Sequence, residues 1–185
     1  MRVLGLDPSL VGAAWTLIER VSSFRGRWIS TGEIALDGRA LAELLATLAP
    51  GLVVVEQPDW IGSPKLAPLG PHIVNTAWAG GGIHLAAAAL GYRAEAVYAR
   101  QGRLWLTNSV SPDDAEIAAA LPRALDGIPA RTNSHARDAA VAAWAGLRLP
   151  ADWTRMRALA AEAKSAQAGA KAAGRKRMKA IAKLR

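Results

Sequence analysis

Four residues carry the chemistry this chain can offer: Asp7, Glu56, His135 and Asp138. Asp7 follows the apolar run VLGL, and Glu56 follows LVVV. Short apolar runs of this kind read as buried strands, so each acid stands where a strand stops. Adjacent strands lie about 5 Å apart, and pairing of the two runs would bring the carboxylates together. Carboxylates that close repel unless a cation compensates them. Oxygen donors alone suit Mg²⁺ or Mn²⁺. His135 and Asp138 lie three apart near a helix start, with Asn133 or Ser134 as cap, and so share one helix face. On its own, each acid reads as a solvated loop carboxylate and His135 as a surface or satisfied core imidazole. Together they form the donor set that two-metal phosphodiester hydrolysis needs, in which one ion activates water and the other stabilises the leaving oxygen.

These groups need a scaffold that gathers them. Residues 1–7, 11–19 and 27–36 are expected as three strands joined by short links, an antiparallel meander. Residues 39–48 have helical spacing, 52–55 form a β-branched strand, and 59–71 are a Pro- and Gly-rich loop. A helix is expected over 72–90 and a strand over 93–99. Ser111-Pro112-Asp113-Asp114 reads as a helix start with Ser111 as N-cap, which makes Asp113 and Asp114 helix-start charges rather than catalysts. Residues 134–149 form a further helix that Pro150 ends. The outcome is an α/β domain over 1–150 with a five-stranded mixed sheet, three strands antiparallel and then parallel, flanked by helices. In such sheets functional groups collect at the carboxyl ends of strands. Gly80-Gly81-Gly82 lie inside a helical stretch and match no phosphate loop, so close packing explains them better.

Charge divides the chain at the same boundary. The formal net charge of +8 falls entirely in residues 151–185, while residues 1–150 balance at zero. This Ala/Lys/Arg-rich extension, helical or partly disordered, attracts polyanions through counterion release, with nucleic acid the expected partner. Its densest cluster is Lys171, Arg175, Lys176, Arg177 and Lys179. The chain has no cysteine, which excludes disulfides and Cys-ligated zinc. No secretion signal and no apolar run of membrane-spanning length is visible, so the expected setting is cytoplasmic, with no membrane partner.

The segments LGLDPSL with Ala14-Trp15 shortly after, VVVEQP, and SHARDAAVAAW stand in an order and spacing that resembles the RuvC-like Holliday junction resolvases of bacteria and phages, within the RNase H-like nuclease fold. The resemblance covers residues 1–147. It implies that Asp7, Glu56 and Asp138 are metal-binding catalytic acids and that His135 occupies a position held in the family by Asp or His. It further implies two Mg²⁺ ions per site, with Mn²⁺ as substitute, and a homodimer that makes paired nicks in a four-way DNA junction. Asp7 would bridge the two ions, Glu56 hold one, and Asp138 with His135 hold the other. Trp60, in the loop after Glu56 with Lys65 nearby, would stack on an unpaired base. Arg100, Arg103, Arg131 and Arg137 would hold phosphates. Two features depart from the family pattern: Ala14 stands where Gly is common, and the helix near Ser111 opens on acids where basic residues are frequent. Two alternatives share these residues: a nuclease of the same fold acting on other branched DNA or structured RNA, and an inactive DNA-binding protein. An actin-like ATPase would need a second phosphate loop and a far longer chain.

Overall fold

A computed structural model describes residues 1–58, 70–109 and 111–149. The chain opens with three antiparallel strands, β1 (Arg2–Pro8), β2 (Gly12–Arg20) and β3 (Gly26–Ala35). Then follow α1 (Gly38–Leu48), β4 (Leu52–Gln57), α2 (Gly70–Ala89) and β5 (Ala94–Tyr98). The last elements are α3 (Ala99–Thr107), α4 (Asp114–Ala124), β6 (Leu125–Asp126) and α5 (Ser134–Arg148).

The strands form one sheet in the order β5-β4-β1-β2-β3-β6. The meander pairs antiparallel, whereas β4 joins β1 and β5 joins β4 in parallel, as helical crossovers require. β6 adds a sixth strand that the sequence did not announce. It is two residues long, parallel to β3, and Arg25 of the β2–β3 turn pairs with Asp126 to hold it there. Period-two alternation sends Leu4, Leu6, Val53 and Val55 to the face covered by α1 and α2. Val3, Ile18, Leu52 and Val54 go to the opposite face, under α5 with α3 and α4.

Two local expectations need correction. The helix expected from Ser111 is capped instead by Asp113, whose carboxylate accepts from Glu116 N while Glu116 reaches back to Asp113 N. This reciprocal capping box satisfies two orphan donors. The second is α3, a helix over a stretch to which the sequence reading assigned no element. Of the three consecutive glycines in α2, only Gly80 packs closely, against the Gln57 amide; Gly81 and Gly82 face open space.

Candidate active site

Small residues along α5 let that helix settle directly on the sheet. A Cβ on Gly5 of β1 would lie 1.9 Å from Ala139 O and 2.6 Å from Ala143 N, so only glycine permits this approach. Buried Thr16 of β2 donates its hydroxyl to Ala136 O at 2.9 Å and shares a second bond of 3.1 Å with Thr31. Asn133 caps α5, its side-chain oxygen accepting from Ala136 N at 2.7 Å. The far end of the helix is pinned by Arg20, which donates to Leu147 O, and by Trp144, whose indole N–H donates to Phe24 O.

This seating brings the four residues to one end of the sheet. Leu6 of β1 lies opposite Val55 of β4 in parallel register, so Asp7 and Glu56 come next along neighbouring strands. Both fall on the α5 side, and Glu56 is buried. From the first turn of α5, His135 donates Nδ1–H to Asp7 Oδ2 at 2.8 Å. One turn on, Asp138 accepts from Arg103 of α3, Nη2 to Oδ1, at 2.9 Å. Beside Asp7 and His135 opens a cavity of about 380 Å³, walled also by Ser9, Gly12, Ala14 and Glu33.

Burial dominates the electrostatics. It raises the Asp7 carboxyl above its ordinary pKa, against the opposing pull of His135 and Arg103. Burial raises Asp138 too, with the charges of Asp7 and Asp114 adding to it and Arg103 opposing. His135 is raised chiefly by its hydrogen bond to Asp7; burial works the other way, and the charges of Asp7, Asp138 and Glu33 reinforce the rise. Arg103 loses through burial but gains more from Asp138 and Glu56, so its pKa is raised. One guanidinium therefore lies in the field of both Asp138 and Glu56 and is felt at Asp7.

Three carboxylates and an imidazole suit a hard divalent ion by donor type. Among the described residues, however, no three His, Asp or Glu side chains are gathered tightly enough to hold one as they stand. Asp138 is turned to Arg103, and His135 is tied to Asp7.

The remaining candidates are scattered. Arg100 and Arg103 lie on α3, Arg100 exposed and Arg103 largely covered. Arg131 is exposed in the loop before α5, while Arg137 turns back to donate to Thr132 O at 3.2 Å. Trp60, Lys65, Lys171, Arg175, Lys176, Arg177 and Lys179 lie outside the described residues. Sequence reasoning passed over Glu33. Asp7 pairs with Ala14, and Ala14 with Glu33, so the three form one row across β1, β2 and β3. The meander together with the alternation along β3 held that signal.

Against solved structures, the chain matches Thermus thermophilus RuvC bound to a Holliday junction substrate, with a TM-score of 0.63 at 19% identity over 78% of this chain and 91% of that one. It matches T. thermophilus RuvC in a second structure, with a TM-score of 0.58 at 21% identity over 78% of this chain and 92% of that one. The chain has the RuvC fold. The yeast mitochondrial Holliday junction resolvase Ydc2 matches more loosely, with a TM-score of 0.50 at 9% identity over 79% of this chain and 77% of that one. No protein-family model matches the sequence, and no curated protein matches it either. Among the described residues no helix is long and apolar enough to cross a membrane.

Proposed function

We propose that this chain is a structure-selective DNA endonuclease that resolves four-way junctions by metal-dependent phosphodiester hydrolysis, acting as a homodimer. The observation that carries the reading is the convergence of Asp7, Glu56 and Asp138 with His135 at one end of the sheet, within a RuvC fold. The T. thermophilus neighbour is described with a Holliday junction substrate, which makes that DNA the first substrate to test.

Mg²⁺, or Mn²⁺ in its place, would be held by Asp7, Glu56 and Asp138, with the second ring nitrogen of His135 as a further donor; bound there, two ions would supply charge neutralisation and an activated water. The chain's own residues do the rest. Thr16 and Gly5 fix α5 so that His135 and Asp138 stay within reach of the strand-end acids. Asp7 orients the His135 ring by accepting the hydrogen bond from Nδ1–H. Burial of Asp7 and Glu56 keeps bulk water from the carboxylates and strengthens every charge interaction among them. Arg100, Arg103, Arg131 and Arg137 would contact phosphates, and the basic segment 151–185 would add affinity that falls steeply with salt.

The homodimer is supported by α2. Its 20 residues contain no Asp, Glu, Lys or Arg, yet Val74, Trp78 and Leu85 stand exposed along one stripe, Trp78 by 81%. An exposed apolar stripe this long costs free energy in water and is matched best by the same stripe on a second copy.

The test is cleavage of a synthetic four-way DNA junction beside linear duplex, splayed-arm DNA and an equivalent RNA junction, each with Mg²⁺ and with EDTA. Paired, metal-dependent nicks confined to the DNA junction are expected. Asp7→Asn should abolish them while leaving junction binding largely intact. Preference for RNA, or retained cutting by the Asp7→Asn variant, would refute the proposal.

A further inference from the structure

Asp138, Val141 and Ala145 form one stripe along α5, spaced three and four residues apart. Gly102 of α3 is buried against that stripe: a Cβ there would meet Val141 Cγ1 at 3.0 Å and Ala145 Cβ at 3.8 Å. The backbone of α3 therefore lies close on α5, and the next residue, Arg103, is delivered to the remaining member of the stripe, Asp138. The ion pair that results is mostly covered, with the Arg103 side chain 29% and the Asp138 side chain 14% exposed. Arg103 Nε–H is buried and has no hydrogen-bond partner. A guanidinium normally satisfies its donors when it leaves water. Here it accepts an incomplete set in exchange for proximity to Asp138 and Glu56.

We infer that Arg103 is the exchangeable counter-cation of the carboxylate cluster: it holds Asp138 while no metal is bound and must release it for a divalent ion to enter. This rests on the metal-site reading above. Asp138 and its neighbours serve two competing cations, since an ion ligated by these carboxylates would meet a like charge directly across Asp138. Release would also bring the stranded Nε–H out to water or to a phosphate oxygen, ending its unsatisfied state. Metal entry and Arg103 withdrawal are then one event. The affinity of the site for metal is set partly by α3, an element that contributes no ligand.

The experiment uses the full chain without DNA. Mn²⁺ binding is measured by calorimetry for the wild type and for Arg103→Met, which keeps the apolar stem and deletes the charge. The variant should bind about tenfold more tightly, the change that one lost charge-assisted hydrogen bond corresponds to. Equal or weaker binding by the variant would overturn the exchange. No binding to either chain would overturn the metal site and the exchange together. A second measurement needs no substitution: the Arg103 Nε–H resonance in a ¹H–¹⁵N spectrum should shift or be lost to water exchange as Mg²⁺ is added to the wild type. An unmoved resonance at saturating Mg²⁺ would also sink the idea. Tighter metal binding by the variant, with no junction cutting by the wild type, would support the exchange while refuting the resolvase reading.

Discussion

Replacing Gly5 by alanine tests the seating of α5 on β1 directly. The added Cβ would lie 1.9 Å from Ala139 O, 2.6 Å from Ala143 N and 2.9 Å from Ala143 Cβ. The first two atoms are the acceptor and donor of one hydrogen-bonded turn of α5, so the methyl would press on that bond itself. Backbone cannot swing aside as a side chain can, and α5 must retreat by about 1 Å before the shortest contact reaches even 3.0 Å. Overpacking of this sort costs about 1–3 kcal/mol. The retreat also stretches the 2.9 Å bond from Thr16 to Ala136 O and draws His135 and Asp138 away from Asp7. A displacement near 1 Å at reacting groups costs on the order of 10²-fold in rate. Gly146→Ala is the matched control. It lies at the other end of α5, and its new methyl would meet side-chain atoms, Val54 Cγ2 at 2.5 Å and Val3 Cγ1 at 3.2 Å. Alanine also recovers up to about 1 kcal/mol of helix propensity there. Urea melts and metal-dependent junction cutting should separate the two: Gly5→Ala loses stability and nearly all cutting, Gly146→Ala loses some stability and much less cutting. A Gly5→Ala chain that cuts as the wild type does would refute the claim that this contact positions the site.

Three further outcomes are expected. Thr16→Val keeps the shape and deletes the hydroxyl that bonds Ala136 O and Thr31; it should cost about 1–2 kcal/mol, read as a drop of several degrees in a thermal melt. Asp7, Asp138 and His135 all have pKa values raised by folding, so all three favour the folded state most at low pH and withdraw that support as pH rises through their folded values. The metal-free chain should therefore lose stability as pH rises above the ordinary aspartate range, and again, with the exposed His135 contributing least, above the ordinary histidine range; Mg²⁺ at a hundred times its Kd should restore about 2.7 kcal/mol, measured by melts at several pH values with and without the ion. Trp78→Asp, on the exposed stripe of α2, should convert a dimer to a monomer by analytical ultracentrifugation and turn paired nicks into single ones; an unchanged dimer would place the interface elsewhere.

What could be read from the sequence depended on the range of the interaction. Asp7 and Glu56 follow from a local pattern, an apolar run with an acid at its end, and β1 and β4 are short enough to leave little ambiguity about where each stops. The helix face shared by His135 and Asp138 is equally local. α3 was not legible: it starts directly after β5 with no side-chain cap on Tyr98, carries Gly102 in its interior, and owes its existence to packing on α5. β6 was not legible either, because two residues held by a distant arginine carry no periodicity.

The same division explains why the strand-end positions of the acids were legible and the arginine beside them was not. Arg103 has the appearance of a surface phosphate contact until α3 is known to be a helix and Gly102 is known to lie against Val141. Only then does the arginine fall beside Asp138, and only then does a cluster of carboxylates acquire its own cation. The small residues along α5 — Ala136, Ala139, Ala140 and Ala143, with Gly146 beyond — hold the legible half of that information, since a helix so poor in bulk must approach something closely. What it approaches, Gly5 on one side and Gly102 on the other, is a pairing of glycines about 100 residues apart in the chain. Each glycine alone means little. Facing one alanine-rich helix from two sides, they fix the distance between a strand-end aspartate and the arginine that competes for its neighbour.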